Sequence, residues 1–312
     1  MKSEFLIGTR GSKLAFYQAE LVKAKLEKNF PLLKFTLVKI KTSGDMIRRS
    51  SPQPFETKRV YTQEIEDALL AKEIDMAAHS AKDLAVDLPE GLALGAIFER
   101  EDPRDCLISR EGKKLSELNL GARVGTSSVR RKLQLLRLHR ELVVEEIHGN
   151  VDTRVAKLEE GVVDALVLAY AGIKRLGLTN SVTDIFSEEQ FYPAPCQGAI
   201  AIECRAGDVE IREVLAPLNH EESAFRVASE RAFLRRLEGG CQLPCGISTH
   251  LEPGKKFRAA GILFSLDGTQ CVEAKVQSDP EGADQIGVRL AEEILAKGGN
   301  QIIRVMRQDV EK

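Results

Sequence analysis

Residues 74–84, IDMAAHSAKDL, decide how the rest of the chain is read. The run from Ile74 to Ala78 is short, apolar and bounded, as a buried strand is. It stops at His79, Ser80, Lys82 and Asp83. A base, a hydroxyl, a cation and a carboxylate gathered at a strand end mark the carboxyl edge of a sheet, where α/β proteins bind ligands. A second stretch, VDALVLAYAGIKRL at 163–176, follows the same plan of acidic residue, apolar strand and basic residue. IGTRGS at 7–12 and VGTSSV at 124–129 also echo each other, each placing Gly-Thr between a strand and a capped helix. Two similar α/β units facing each other follow from these repeats.

Working outward, EFLIG reads as a strand, and Ser12 caps a helix over KLAFYQAELVKAKLEK with Leu14, Tyr17, Leu21 and Ala24 on one face. KFTLVKI is a strand. Residues 43–60 are polar and proline-bearing without a period, the pattern of a long loop that serves as a lid or binding loop or is disordered. A helix covers 61–72, and LALGAI is another strand. EREDPRD, 99–105, reads as a crossing between units. ARVGT, LVVEEI and VDALVLA then alternate as strands with the helices SSVRRKLQLLRLH, VDTRVAKLEEG and AGIKRLG, which predicts a largely parallel sheet. After the strand AIAIEC comes a long helix, LNHEESAFRVASERAFLRRL, with Ala224, Val227, Ala228, Phe233 and Leu234 toward the core; EGG ends it. Strands FRAAGILFS and TQCVEAKVQ, helix GADQIGVRLAEEILAKGG and a final QIIRVM predict a small α/β unit with antiparallel strands.

Composition narrows the function. Of the 312 residues, 45 are Lys or Arg and 47 Asp or Glu, so the bulk charge of -2 does not point to nucleic acid. No apolar run reaches the ~18 residues of a membrane span. A cytoplasmic protein is expected. The cysteines 106, 196, 204, 241, 245 and 271 are too scattered for a disulfide scaffold, and the histidines do not cluster with them as metal ligands would.

The strand-end loops carry the chemistry. Thr9, Ser12, Thr126, Ser127 and Ser128 offer hydroxyls at helix N-termini, and Arg10, Lys82, Arg130, Arg131, Arg154 and Arg175 offer charge. Together they imply a ligand with many anionic groups, although any one of these cations could simply face water. No loop is a nucleotide motif. Asp83 either forms a salt bridge with Lys82, Arg10 or a neighbour, or steadies positive charge that develops on a substrate or relays a proton. Lys157, Arg137 and Arg140 read as surface residues. Cys241, after two glycines in LEGGCQLP, is either a small buried thiol or a thiol placed at a domain edge.

As a set, IGTRGSKLAFYQAE, AAHSAKDLAVDLPEGL, EREDPRDCLIS, VGTSSVRR, GNVDTR, AGIKRLGL, QGAIAIECR and ERAFLRRLEGGCQLP resemble the porphobilinogen deaminase family over nearly the whole chain. The resemblance implies two α/β domains of the periplasmic-binding-protein-like type flanking a cleft, plus a small C-terminal α/β domain with an antiparallel sheet. The expected limits are 1–99 plus 197–216, then 100–196, then 217–312. It implies stepwise head-to-tail condensation of four porphobilinogens into hydroxymethylbilane, with release of ammonia, by a monomeric transferase without nucleic-acid or membrane partners or a metal. A dipyrromethane cofactor joined by a thioether to Cys241 would prime the reaction. By the same resemblance Asp83, Lys82 and Arg10 are catalytic. Ser12, Lys82, Asp83, Thr126, Ser127, Ser128, Arg130 and Arg131 hold the cofactor. Arg10, His148, Arg154, Arg175 and the loop residue Lys58 hold substrate carboxylates.

The chain departs from the family pattern at four places. ETKRV, 56–60, replaces a glycine-rich loop, Cys196 stands where glycine is usual, and Cys245 is an added thiol near Cys241. His148 stands where an arginine is expected, and histidine brings neither a permanent charge nor a bidentate fork. An alternative reading is therefore a weak or inactive homologue that binds an oligopyrrole or another polyanion.

Overall fold

The computed structural model describes residues 2–43, 61–237, 243–252, 256–279 and 282–310. Lys58 and the rest of the segment 44–60, and Cys241, lie outside the described residues.

Three sheets organise the chain. The first holds β1 (Glu4–Arg10), β2 (Lys34–Ile40), β3 (Met76–Ser80), β4 (Leu92–Ile97) and β10 (Ile200–Arg205), in the order β2-β1-β3-β10-β4. The second holds β5 (Asp105–Ser109), β6 (Arg123–Gly125), β7 (Val143–Glu145), β8 (Ala165–Ala169) and β9 (Asp184–Ile185), in the order β7-β6-β8-β5-β9. The third is antiparallel, β11 (Cys245–Leu251), β12 (Phe257–Phe264) and β13 (Cys271–Ser278). The helices are α1 (Lys13–Asn29), α2 (Gln63–Leu70), α3 (Val129–Leu138), α4 (Val151–Glu159), α5 (Tyr170–Arg175), α6 (Val209–Leu215), α7 (Glu221–Arg236), α8 (Ala283–Ile294) and α9 (Asn300–Val310). The final QIIRVM lies in α9, which a left-handed Gly298 separates from α8.

The first two sheets are mixed, not largely parallel. β1 runs parallel to β2 and β3, but β10 runs antiparallel to β3 and β4. Likewise β6 is parallel to β7 and β8, while β5 is antiparallel to β8 and β9. The reason is the double crossing. The chain leaves the first sheet after β4, enters the second as β5, and returns as β10. A strand entering from the cleft edge must run against the strands that end there.

Two helix faces differ from the sequence reading. α1 buries Gln18, Ala19, Val22 and Leu26, whereas Tyr17, Leu21 and Ala24 are exposed. The stripe that begins at Leu14 turns toward the second unit, where a Cβ on Gly172 would lie 3.4 Å from Leu14 Cδ2. α7 buries Val227 and Phe233 as expected, but it also buries Ser229, Glu230 and Arg231, while Ala224, Ala228 and Leu234 are only partly covered. With α8, α7 encloses the C-terminal core of Phe233, Phe257, Ile286, Leu290 and Ile294. Each such side chain contributes about 1.5–3 kcal/mol by burial.

Charged residues fasten the crossings. Arg100 pairs with Glu230 of α7 at 2.5 Å, with both side chains buried, and its Nε donates to the Gln197 carbonyl at 2.8 Å. Glu230 also accepts from the Cys196 amide and from Thr249 Oγ1, each at 2.5 Å. One carboxylate thus ties the outgoing crossing, the return crossing, α7 and β11 together. Cys196 has φ +62°, the left-handed backbone that explains why glycine suits this position. Arg137, read as a surface residue, pairs with Glu273 of β13 and links the second unit to the third.

Candidate active site

The functional loops all leave the carboxyl ends of parallel strands. β1 delivers Arg10 and then Ser12, whose side chain caps α1 by accepting from the Ala15 amide at 3.2 Å. β3 delivers Ser80, held at 3.0 Å by Gln18 Nε2, and then a 3-10 turn, Ala81–Asp83. β6 delivers Thr126 to Ser128, and Ser128 caps α3 by accepting from the Arg131 amide at 3.4 Å. α4, after β7, carries Arg154, and α5, after β8, carries Arg175.

Arg130 and Arg131 do not face water; they are 5% and 6% exposed. They flank Asp105, which is fully buried. Asp105 accepts from Arg130 Nη1 at 2.8 Å, from Arg131 Nε and Nη2 at 3.0 and 2.8 Å, and from Gln197 Nε2 at 2.9 Å. Burial alone would raise the Asp105 carboxyl; the charges of Arg130 and Arg131 outweigh it and hold the pKa at about 2. Gln197 Oε1 in turn accepts from Lys82 Nζ at 3.3 Å and from Arg131 Nη2 at 3.4 Å. Arg130 also donates to the Tyr192 carbonyl at 2.5 Å. It is thus a buried brace within the second unit.

Above this brace the cations crowd one another. Burial, then Arg131, lower the Lys82 ammonium to about 8, against the support of Asp83 and Asp105. Burial and Arg131 lower Arg154 to about 10. Arg154 joins the loops, donating to the Gly149 carbonyl at 2.7 Å and to Ser127 Oγ at 3.1 Å. Arg175 donates to the Gly198 carbonyl at 2.7 Å, and burial lowers its pKa despite Glu101 and Tyr17. Arg10 lies over the Tyr61 ring, 4.3 Å from its centroid, and Tyr61 is near enough to support the charge of Arg154. Arg10 comes from the first sheet and Arg154 from the second unit, so Tyr61 stands between the two walls.

The Asp83 carboxylate makes no hydrogen bond or ion pair among the described residues, although Asp83 lends its charge to Lys82. The salt-bridge reading of this residue therefore fails. His148 is not drawn into the crowd; its Nε2 faces Glu146 at 3.3 Å on the half-exposed rim, and its carbonyl accepts from Lys157. Thr9 is fully buried and donates to the Ala15 carbonyl at 3.0 Å, so it offers no hydroxyl to a ligand. The sequence reading missed Tyr61, Asp105 and Gln197. Tyr61 stood at the end of a loop, whereas Asp105, in EREDPRDCLIS, and Gln197, in QGAIAIECR, lay in motifs of the resemblance without being singled out.

The arrangement gathers cations, hydroxyl-bearing caps and, among the described residues, one carboxylate without a hydrogen bond or ion pair at the carboxyl ends of strands from both sheets. It is the chemistry that suits a ligand with several anionic groups. Residues 5–213 match the family model described as "Porphobilinogen deaminase, dipyromethane cofactor binding domain", and residues 224–296 match its C-terminal domain. The chain is 45% identical over 309 residues to the porphobilinogen deaminase of Pelotomaculum thermopropionicum, covering 99% of each chain. It is 42% identical to that of Carboxydothermus hydrogenoformans with the same coverage. Among solved structures, the methionine-binding protein MetQ is similar at a TM-score of 0.46 and 15% identity, over 73% of this chain and 95% of that one. The chain belongs to the porphobilinogen deaminase family. It is an enzyme of tetrapyrrole synthesis whose residues 5–213 form the dipyrromethane cofactor binding domain.

Proposed function

We propose that this chain is a transferase, a hydroxymethylbilane synthase that joins four porphobilinogens head to tail and releases one ammonia at each addition. The observation that carries the reading is the Asp83 carboxylate, without a hydrogen bond or ion pair among the described residues, beside a cluster of desolvated cations. Lys82 and Arg154 are both depressed by burial and by the charge of Arg131, so these cations repel one another. A group bearing several carboxylates relieves that repulsion, and dipyrromethane is such a group.

In this reading Ser12, Thr126, Ser127, Ser128, Lys82 and Arg131 hold the cofactor, attached by a thioether to Cys241, with Arg130 bracing Arg131 through Asp105. The cofactor supplies a pyrrole carbon as the first nucleophile. Arg10, Arg154, Arg175 and Lys58 hold the acetate and propionate groups of the incoming substrate. Charge-assisted hydrogen bonds of this kind contribute about 1.5–3 kcal/mol each. They fix the substrate so that the bond-forming carbons meet without a fresh encounter.

Asp83 accepts a hydrogen bond from a pyrrole N–H. As ammonia departs, positive charge grows on that ring, and the fixed carboxylate offsets it at no reorganisation cost. The same oxygens can take the proton lost from the attacking ring carbon. Lys82 keeps its charge below about pH 8 and screens Asp83 from the anionic side chains. An inactive homologue is not favoured, because this chain retains the open carboxylate and the cation set. His148, on the rim, affects grip more than chemistry. A cytoplasmic monomer acting without a nucleic-acid partner completes the proposal; among the described residues no helix is long and apolar enough to cross a membrane.

The test is porphobilinogen consumption and ammonia release by the purified protein, with its intact mass measured beside them. Turnover with a mass excess of one dipyrromethane supports the reading. A protein of unmodified mass that consumes no porphobilinogen refutes it.

A further inference from the structure

The turn that carries Asp83 is gripped from behind by the helix that leads toward Cys241. α7 packs Val227 and the partly buried Ala224 against Ala81, Leu84 and Leu88, residues on both sides of Lys82 and Asp83. One turn further on, Arg231 is 9% exposed. Its Nη2 donates to the carbonyl oxygens of Ala85 at 2.8 Å and Val86 at 2.6 Å. Arg235, on the same helix face, reaches Asp87 Oδ1 at 2.9 Å and the Val86 carbonyl at 3.3 Å. Segment 84–90 has neither helix nor strand, so no ladder of backbone bonds sets its place. Side-chain donors and packing do that instead.

We propose that Arg231 is a positioning residue for the reaction. By holding the carbonyls of Ala85 and Val86, it sets where the Asp83 carboxylate stands, two residues earlier in the same turn. α7 ends at Arg236, five residues before Cys241 along the chain. Asp83 makes no hydrogen bond or ion pair among the described residues; the Ala81 amide, donating to the Ala199 carbonyl at 3.0 Å, holds the turn in front of it, and Arg231 holds the backbone behind it. The inference rests on the reading of Asp83 as the reaction's carboxylate.

The test uses holo-protein of wild type, Arg231→Met, Arg231→Lys and Asp83→Glu, and the double variant Arg231→Lys/Asp83→Glu. Cofactor content is measured by intact mass, stability by denaturation, and kcat and KM on porphobilinogen. Arg231→Met should lower kcat on the order of 100-fold, the loss that follows a displacement of about 1 Å, with KM within about threefold. Arg231→Lys should recover about tenfold of that loss, since it can reach one carbonyl. If Arg231 acts through Asp83, the kcat losses of Arg231→Lys and Asp83→Glu will not multiply in the double variant. That coupling decides the matter even where Arg231→Met fails to fold. Losses that multiply, or a kcat within about twofold of wild type while stability falls, overturn the positioning role alone. Absence of turnover in wild type overturns the functional reading and this inference with it.

Discussion

Replacing Asp105 by asparagine removes one negative charge from the centre of the second unit and leaves the shape nearly unchanged. Asp105 is fully buried and accepts four hydrogen bonds, from Arg130 Nη1 at 2.8 Å, Arg131 Nε and Nη2 at 3.0 and 2.8 Å, and Gln197 Nε2 at 2.9 Å. The gap between the ordinary 3.8 and the native value of about 2 is worth roughly 2 kcal/mol. Its sign follows from linkage. The unfolded chain binds this proton at higher pH than the folded one, so the contribution is complete above about pH 4 and is lost as pH falls toward 2. Asparagine forfeits it and also strands two buried guanidiniums, and breaking a buried pair costs about 3–5 kcal/mol. A domain typically has only about 5–15 kcal/mol in all. Urea denaturation at pH 7 and at pH 3, followed by far-ultraviolet circular dichroism, measures both terms. The expected result is a loss of about 3–5 kcal/mol at pH 7 that narrows at pH 3. A loss under about 1 kcal/mol at pH 7, or a gap that does not narrow, would refute the account of Asp105 as counter-charge to Arg130 and Arg131.

Asp83→Asn should keep the wild-type unfolding midpoint, because the carboxylate has no partner among the described residues, and should lower kcat by about 10²–10³-fold in a porphobilinogen consumption assay. For Lys82, with its pKa lowered to about 8, kcat/KM should fall as pH rises past 8 and the ammonium loses its charge; Lys82→Met should be weaker and lack that limb. The unfolded chain keeps the Lys82 proton to higher pH, so this residue makes stability rise, not fall, between about pH 8 and 10.5. His148→Arg should raise turnover, because arginine brings a permanent charge and a bidentate fork; equal rates at equal cofactor occupancy would show that His148 limits nothing. Cys241→Ser should remove the adduct seen by intact mass, and peptide mapping of the parent should place it on Cys241, not on Cys245 or Cys196.

By itself the sequence determined the local plan. Apolar runs of strand length, each ending in glycine, hydroxyl or charge, announced β1, β3, β6 and β8 and the caps at Ser12 and Ser128. Helix periodicity announced α1, α3 and α7. These features act over a few residues, so neighbours in sequence suffice to reveal them. The same locality showed that cations would collect at strand ends, and hence that the ligand is anionic. The motif set, read as a resemblance, supplied the chemistry.

Only the tertiary structure decided which charges are tools and which are braces. Arg130 and Arg154 look alike in sequence, yet one lies on Asp105 and the Tyr192 carbonyl and the other spans Ser127 and Gly149. Their partners stand 25, 62, 27 and 5 residues away along the chain. Periodicity carries no trace of such pairings, because a buried charge interrupts the apolar pattern that marks a core. The same holds for Glu230 and Arg231 within α7, and for β5, which begins on the buried charge of Asp105 and was read as the tail of a crossing. The antiparallel course of β5 and β10 was likewise hidden, since strand direction depends on which edge of the sheet the chain enters. That the Asp83 carboxylate makes no hydrogen bond or ion pair among the described residues is likewise a property of the packed molecule.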